Sequence, residues 1–249
     1  MKTYEKFKQE SAQEICVQGD DADLRRLTNE WMNKANAQKY SYHFEWLGRP
    51  IIQYPQDIIA MQELIWSIRP DLIIETGIAH GGSLVFSASM LELNAACGGS
   101  ADAQVLAIDI DIRAHNRAAI EAHAMSKRIE MIQGSSTAPD VIERVKAKAA
   151  GKKRVLIFLD SNHTHNHVLA ELKAYAPLTS HGSYCVVFDT IIEDLPHAKF
   201  PDRSWGVGNS PKTAVMAFLE THLGFEIDKQ MDHKLLISVA PNGYLKRVR

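Results

Sequence analysis

The chain has 249 residues, long for one average domain but within reach of a single α/β unit carrying extra terminal elements. Hydrophobic residues make up 45% of it and charged residues 23%, which excludes collagenous, low-complexity and largely disordered chains. The formal net charge of −2, with no concentrated Lys/Arg face, argues against a nucleic-acid backbone or an anionic membrane as partner.

The first residues, Met1-Lys2-Thr3-Tyr4-Glu5-Lys6, lead into charge without an apolar signal core. No run approaches the roughly 18–20 apolar residues of a membrane span. A soluble cytoplasmic protein is therefore expected, and the scattered Cys16, Cys97 and Cys185 fit a reducing compartment, with neither a disulfide framework nor a CxxC zinc site. Residues 24–32 and 58–66 read as amphipathic helices, the second ended by Pro70. Residues 1–69 are expected to form a helical cap or an oligomer contact, which makes a homo-oligomer reasonable, ahead of one main unit over 70–249.

From Asp71 onward, short β-branched runs alternate with amphipathic stretches, the pattern of a mostly parallel sheet covered by helices. Strands are predicted at 72–74, 105–108, 129–132, 155–159 and 184–188, with helices at 83–94, 114–124, 138–149 and 165–176 between them. A loop over 191–209, holding Pro196, His197, Phe200, Trp205 and Gly206, is placed to cover a substrate. A helix at 210–223 follows, then a pair of strands at 225–228 and 234–239, and the basic Lys246, Arg247 and Arg249 read as a solvated tail.

The first chemical signal is the turn Glu75-Thr76-Gly77-Ile78-Ala79-His80-Gly81-Gly82-Ser83 between the first strand and the first helix. Small residues there let a ligand approach the backbone and a helix N-terminus. The run is neither GxGxxG nor a P-loop, so hydride transfer and NTP hydrolysis are weak readings. Glu75 would repel a pyrophosphate but can accept hydrogen bonds from a cationic amino-acid group such as that of S-adenosylmethionine. Asp109 ends the second strand, where a carboxylate binds ribose hydroxyls, with Asp111 as the alternate and a helix cap as the latter's competing role. Ser135 and Ser136 end the third strand and suit an adenine edge.

The second signal lies at later strand ends. Asp160 and Asp189 follow the fourth and fifth strands, so both open into one crevice and offer hard oxygen ligands for Mg²⁺. His163 stands three residues beyond Asp160, where an imidazole could take a proton from a substrate hydroxyl. The competing roles for the two acids are helix caps or hydrogen-bonded strand ends without metal. His165 and His167 read as solvent-facing residues at a helix start, and the three histidines lack the further ligand that a zinc site needs.

Taken together, residues 69–77 continuing through His80-Gly81-Gly82-Ser83, then 108–113, Gly134-Ser135-Ser136 and Asp160-Ser161-Asn162-His163, resemble the cephalosporin hydroxylase/rhamnosyl O-methyltransferase family over about residues 45–245. The resemblance implies a Rossmann-like class I methyltransferase fold, α/β, with a seven-stranded mostly parallel sheet of order 3-2-1-4-5-7-6 and helices on both faces. It also implies S-adenosylmethionine as cofactor and often Mg²⁺. In related macrolide-sugar methyltransferases the Asp of a D-x-x-H motif binds metal and the His is the base, roles that fall here on Asp160 and His163. One departure is Phe188, where the family commonly has an acid beside Asp189; Thr190 follows where catechol-type relatives carry Asn.

The expected activity is O-methylation of a hydroxyl on a sugar or small polyhydroxylated metabolite. Glu75, Gly77, His80, Gly81, Gly82, Ser83, Asp109, Ser135 and Ser136 would hold the cofactor, Asp160 and Asp189 the metal, and His163 with Asp160 would carry the chemistry. The alternative is an accessory or non-catalytic cofactor-binding partner of a hydroxylase or other biosynthetic system.

Overall fold

Leu72–Thr76 and Val155–Leu159 are buried along their whole length, as runs of β-branched and large aliphatic residues must be when helices cover both faces of a parallel sheet. In the computed structural model, which describes residues 3–195 and 202–249, they lie side by side at the centre of a seven-stranded sheet. The elements in chain order are α1 (Tyr4–Asp20), α2 (Ala22–Ala37), the hairpin β1 (Glu45–Trp46) and β2 (Arg49–Pro50), α3 (Pro55–Ile68), β3 (Leu72–Thr76), α4 (Gly82–Ala96), β4 (Gln104–Asp109), α5 (Ala114–Glu121) and β5 (Ile129–Gln133). Then come α6 (Pro139–Ala149), β6 (Val155–Leu159), α7 (His165–Tyr175), β7 (Tyr184–Val187), α8 (Pro211–Thr221), β8 (Phe225–Ile227), α9 (Lys229–Leu235) and β9 (Tyr244–Arg247).

The sheet runs β5-β4-β3-β6-β7-β9-β8, which counted within the sheet alone is 3-2-1-4-5-7-6. Strands β3 to β7 are parallel, and β9 is antiparallel to both β7 and β8. Side chains alternate between two cores. Ile73, Leu156, Phe158 and Val186 meet Phe86 and Leu91 of α4, while Ile74, Ile157 and Val187 meet Val145 of α6, Leu172 of α7 and Phe218 of α8. The parallel register places the C-terminal ends of β3 to β7 along one edge of the sheet, where such sheets bind ligands.

Helix α3 belongs to the first core. Its Met61, Leu64 and Ile65 are buried, each contributing roughly 1.5–3 kcal/mol, so residues before 70 share the hydrophobic interior of the main unit. Helix α1 is held differently, its Gln18 side chain donating to the carbonyls of His233 and Lys234 on α9. No helix among the described residues is long and apolar enough to cross a membrane.

Three expectations change. Residues 234–239 are not a strand: α9 ends at Leu235, and the apolar run beyond it buries Val239 in the first core as a loop. The second strand of that pair is β9, which makes Lys246 and Arg247 part of the sheet rather than a solvated tail; the Arg247 guanidinium donates to the carbonyls of Pro177 and Thr179. Helix 114–124 stops at Glu121, where a 3-10 turn over Ala124–Arg128 begins after His123 caps it. The α1 helix and the β1–β2 hairpin carry too little periodicity to have been expected.

Candidate active site

The C-terminal edge of the sheet borders a cavity of about 820 Å³ lined by Gly77, Ala79, Asp109, Ser135, Ser136, Asp160, His163 and Asp189, together with Gln53, Tyr42 and Trp205. Gly77 is required at the end of β3. It has φ +91, and a Cβ there would fall 2.0 Å from the Asp160 carbonyl oxygen, so only a glycine lets β3 and β6 end this close together. Asp109 folds the turn from the side: Oδ2 accepts the Ile78 N–H at 2.8 Å and Oδ1 that of Asp111 at 3.0 Å. One lone pair on each oxygen stays available to the cavity.

The rest of the turn is fastened from outside. Asn116 donates to the Ala79 carbonyl at 2.8 Å, and Arg49 of β2 donates through Nε to the His80 carbonyl at 2.9 Å while also bonding Asn116. Gly82 packs on β2, where a Cβ would meet the Pro50 carbonyl oxygen at 2.1 Å. His80, Gly81, Gly82 and Ser83, expected to contact the cofactor, therefore stand off the cavity wall. The small size of two of them serves packing, Gly81 against Ile120 of α5 and Gly82 against the hairpin. Glu75 lies behind Gly77, 3% exposed. Ser83 gives it a hydrogen bond, Oε2 has no partner, and burial pushes its carboxyl up to about 7.

At the other end, Asp160, His163 and Asp189 converge, with one ligand atom from each lying within 4.8 Å of the others. His163 Nε2 is 3.1 Å from Asp189 Oδ2. Gln53, itself buried, donates to Asp160 Oδ2 at 3.2 Å and leaves its own Oε1 without a partner. Burial, then the charge of Asp189, followed by those of Glu75, Glu171 and Asp57, holds the Asp160 carboxyl well above the usual carboxylate range. Neither acid serves as a helix cap: Thr164 precedes α7, and Asp189 starts a 3-10 turn without a side-chain bond to it. Asp189 has φ +55, a strained conformation for a residue with a Cβ, and it sits at the site where such strain tends to be kept.

A family model described as rhamnosyl O-methyltransferase/CmcI matches residues 38–248. The chain belongs to this family. Rhamnosyl O-methyltransferases of Mycobacterium bovis and Mycobacterium leprae are respectively 32% identical over 77% of this chain and 73% of theirs, and 31% identical over 81% and 82%. A solved CmcI structure described as carrying Mg and SAM superposes with a TM-score of 0.57 at 19% identity, covering 84% of this chain and 78% of that one. This likeness establishes the class I fold.

Within this member of the family, several roles shift. Asp111 is exposed beside Arg113 and caps nothing, since α5 begins after Arg113. Thr190 is fully buried, donates its hydroxyl to the Pro241 carbonyl at 2.8 Å, and is turned away from the two acids. Phe188 is core, packed on Phe158. His165 and His167 are not solvent-facing: His165 bonds Thr213 at 2.8 Å, and His167 Nε2 lies 3.0 Å from Ser136 Oγ and 3.4 Å from buried Glu171. Pro196, His197 and Phe200 lie outside the described residues, whereas Trp205 reaches the cavity. Gln53, Arg49, Asn116 and Glu171 were missed, because their distance along the chain from the motifs hides what they touch.

Proposed function

We propose that the chain is an S-adenosylmethionine-dependent O-methyltransferase acting on a hydroxyl of a sugar or small polyhydroxylated metabolite, with a divalent cation held by Asp160 and Asp189. The observation that carries this reading is the convergence of Asp160, His163 and Asp189 on the wall of a cavity that Asp109 and the Gly77 turn also line. The residues present fit both groups. Two buried acceptors without partners, Glu75 Oε2 and Gln53 Oε1, suit a ligand rich in N–H donors such as the ammonium of an amino acid. Two carboxylate oxygens beside an imidazole suit Mg²⁺, which would offset the burial and the Asp189 charge that raise Asp160.

When bound, the cofactor supplies a methyl group on a sulfonium and the cation lowers the pKa of an acceptor hydroxyl. Asp109 accepts from the ribose hydroxyls, and Ser135 and Ser136 border the base. The Gly77 turn allows backbone contact with the amino-acid portion. His163 takes the acceptor proton at Nδ1, the ring nitrogen not held by Asp189, and Asp189 Oδ2, 3.1 Å from Nε2, stabilises the resulting imidazolium. Most of the acceleration would come from alignment of acceptor and methyl group.

Calorimetric titration of S-adenosylmethionine with and without Mg²⁺, followed by a panel of rhamnosides and other polyols, tests the reading. Binding and the release of S-adenosylhomocysteine are expected, with His163→Ala lowering turnover by about 10²–10⁴-fold and Asp160→Asn abolishing the response to Mg²⁺. Failure of the cofactor to bind, or binding without product above background, would end it.

A further inference from the structure

We propose that Trp205 and Asn209 form a strap that orients the His163 imidazole; both are positioning residues, and the proposal rests on His163 acting as the base. Asp189 fixes one ring nitrogen of His163, which by itself leaves the ring free to pivot about that contact. The Trp205 indole supplies the second restraint, its ring centre 5.7 Å from that of His163 with the planes at 75°. Edge-to-face contact of this kind constrains orientation as well as position.

Asn209 holds the indole there. Its Nδ2 donates to the Ser204 carbonyl at 2.7 Å, and its backbone pairs with Gly206 at 3.0 and 2.9 Å, closing the loop around Trp205. Its Oδ1 accepts the His165 N–H at 2.9 Å, and His165 is the first residue of α7. Thr164 makes no capping bond there, its hydroxyl being given to Asn162 Oδ1, so Asn209 supplies the missing cap from another part of the chain. The loop is also pinned at its far side, where Glu193 accepts from the Gly208 N–H and the Ser210 hydroxyl. One side chain thus ties the aromatic wall to a point two residues from His163, and wall and base keep a common frame.

A helix cap alone would need only the Oδ1 half of Asn209. Asn209→Asp keeps that half and loses the donor to Ser204, so it separates the two roles; Trp205→Leu removes the ring and Trp205→Phe keeps one. The readouts are the His163 ring-proton resonances in the S-adenosylhomocysteine complex, assigned by their loss in His163→Gln, the affinity for S-adenosylhomocysteine, and kcat against KM with methyl α-L-rhamnopyranoside as probe. In Trp205→Leu and Asn209→Asp the resonances should move toward those of an exposed histidine and kcat fall about tenfold, with S-adenosylhomocysteine affinity unchanged and Trp205→Phe, which keeps a ring, moving the resonances less than Trp205→Leu. If Asn209→Asp matches the parent in resonance and kcat, or Trp205→Leu leaves the resonances in place, the strap is wrong. If the parent binds cofactor but methylates no acceptor, the assigned function fails instead, and the resonances alone decide the strap.

Discussion

Burial drives the Glu75 carboxyl from 4.5 up to about 7, and the one hydrogen bond from Ser83 offsets this only in part. In the unfolded chain the group ionises at its ordinary value, so folding without ligand favours the protonated form. Stability is therefore lost as pH rises from 4.5 through 7, by about 3 kcal/mol in all. Glu75→Gln should raise the Tm of the ligand-free protein at pH 8 and leave it nearly unchanged at pH 4.5, while weakening S-adenosylmethionine. Scanning calorimetry at the two pH values checks this, and an equal shift at both would contradict it. That an acid stood here was plain from the sequence beside its glycines. That one of its oxygens lacks any partner was not, because satisfaction of a buried atom depends on neighbours from other elements.

The two-residue strands of the β1–β2 hairpin look minor beside the central sheet, yet they brace the turn after β3 through Arg49 and Pro50. Gly82→Ala would drive a Cβ into the Pro50 backbone, where no flexible side chain can give way. The expected loss is about 1–3 kcal/mol, or roughly 2–4 °C in Tm per kcal/mol, together with weaker S-adenosylhomocysteine binding as the turn is displaced. Stability lost with affinity intact would mean that the hairpin braces the helix but not the turn. Strands β3, β4, β6 and β7 were legible because strands buried on both faces must be written in largely apolar runs, whereas β5 is an edge strand with only Ile132 buried. The hairpin was not, since four paired residues leave no period to detect, and 234–239 misled because an apolar loop entering a core resembles a short strand.

Across the whole molecule, the first 69 residues contribute very unequally. Helix α1 buries only Gly19 and touches α9, whereas α3 enters the main core and its Asp57 accepts bonds from Ser238, Val239 and Tyr244 near the C-terminus. Removing residues 1–20 should lower Tm yet leave cooperative unfolding and cofactor binding. Removing 1–69 should abolish both, as judged by near-ultraviolet circular dichroism and calorimetry; a folded, cofactor-binding 70–249 fragment would refute the shared core. The division at residue 69 is thus a change in sequence pattern, set by where strand alternation begins, while the long-range contacts that cross it leave no local signature. The place of β9 has a consequence for synthesis. Strand β7, whose end carries Asp189, is an unpaired edge until Tyr244–Arg247 emerge and insert between it and β8. The half of the crevice proposed for the cofactor, built from β3, β4 and β5, can be complete earlier on the ribosome. The acid that would complete the cation site gains its last support only once β9 has been made, and a chain arrested before it would carry the first half of the site without the second.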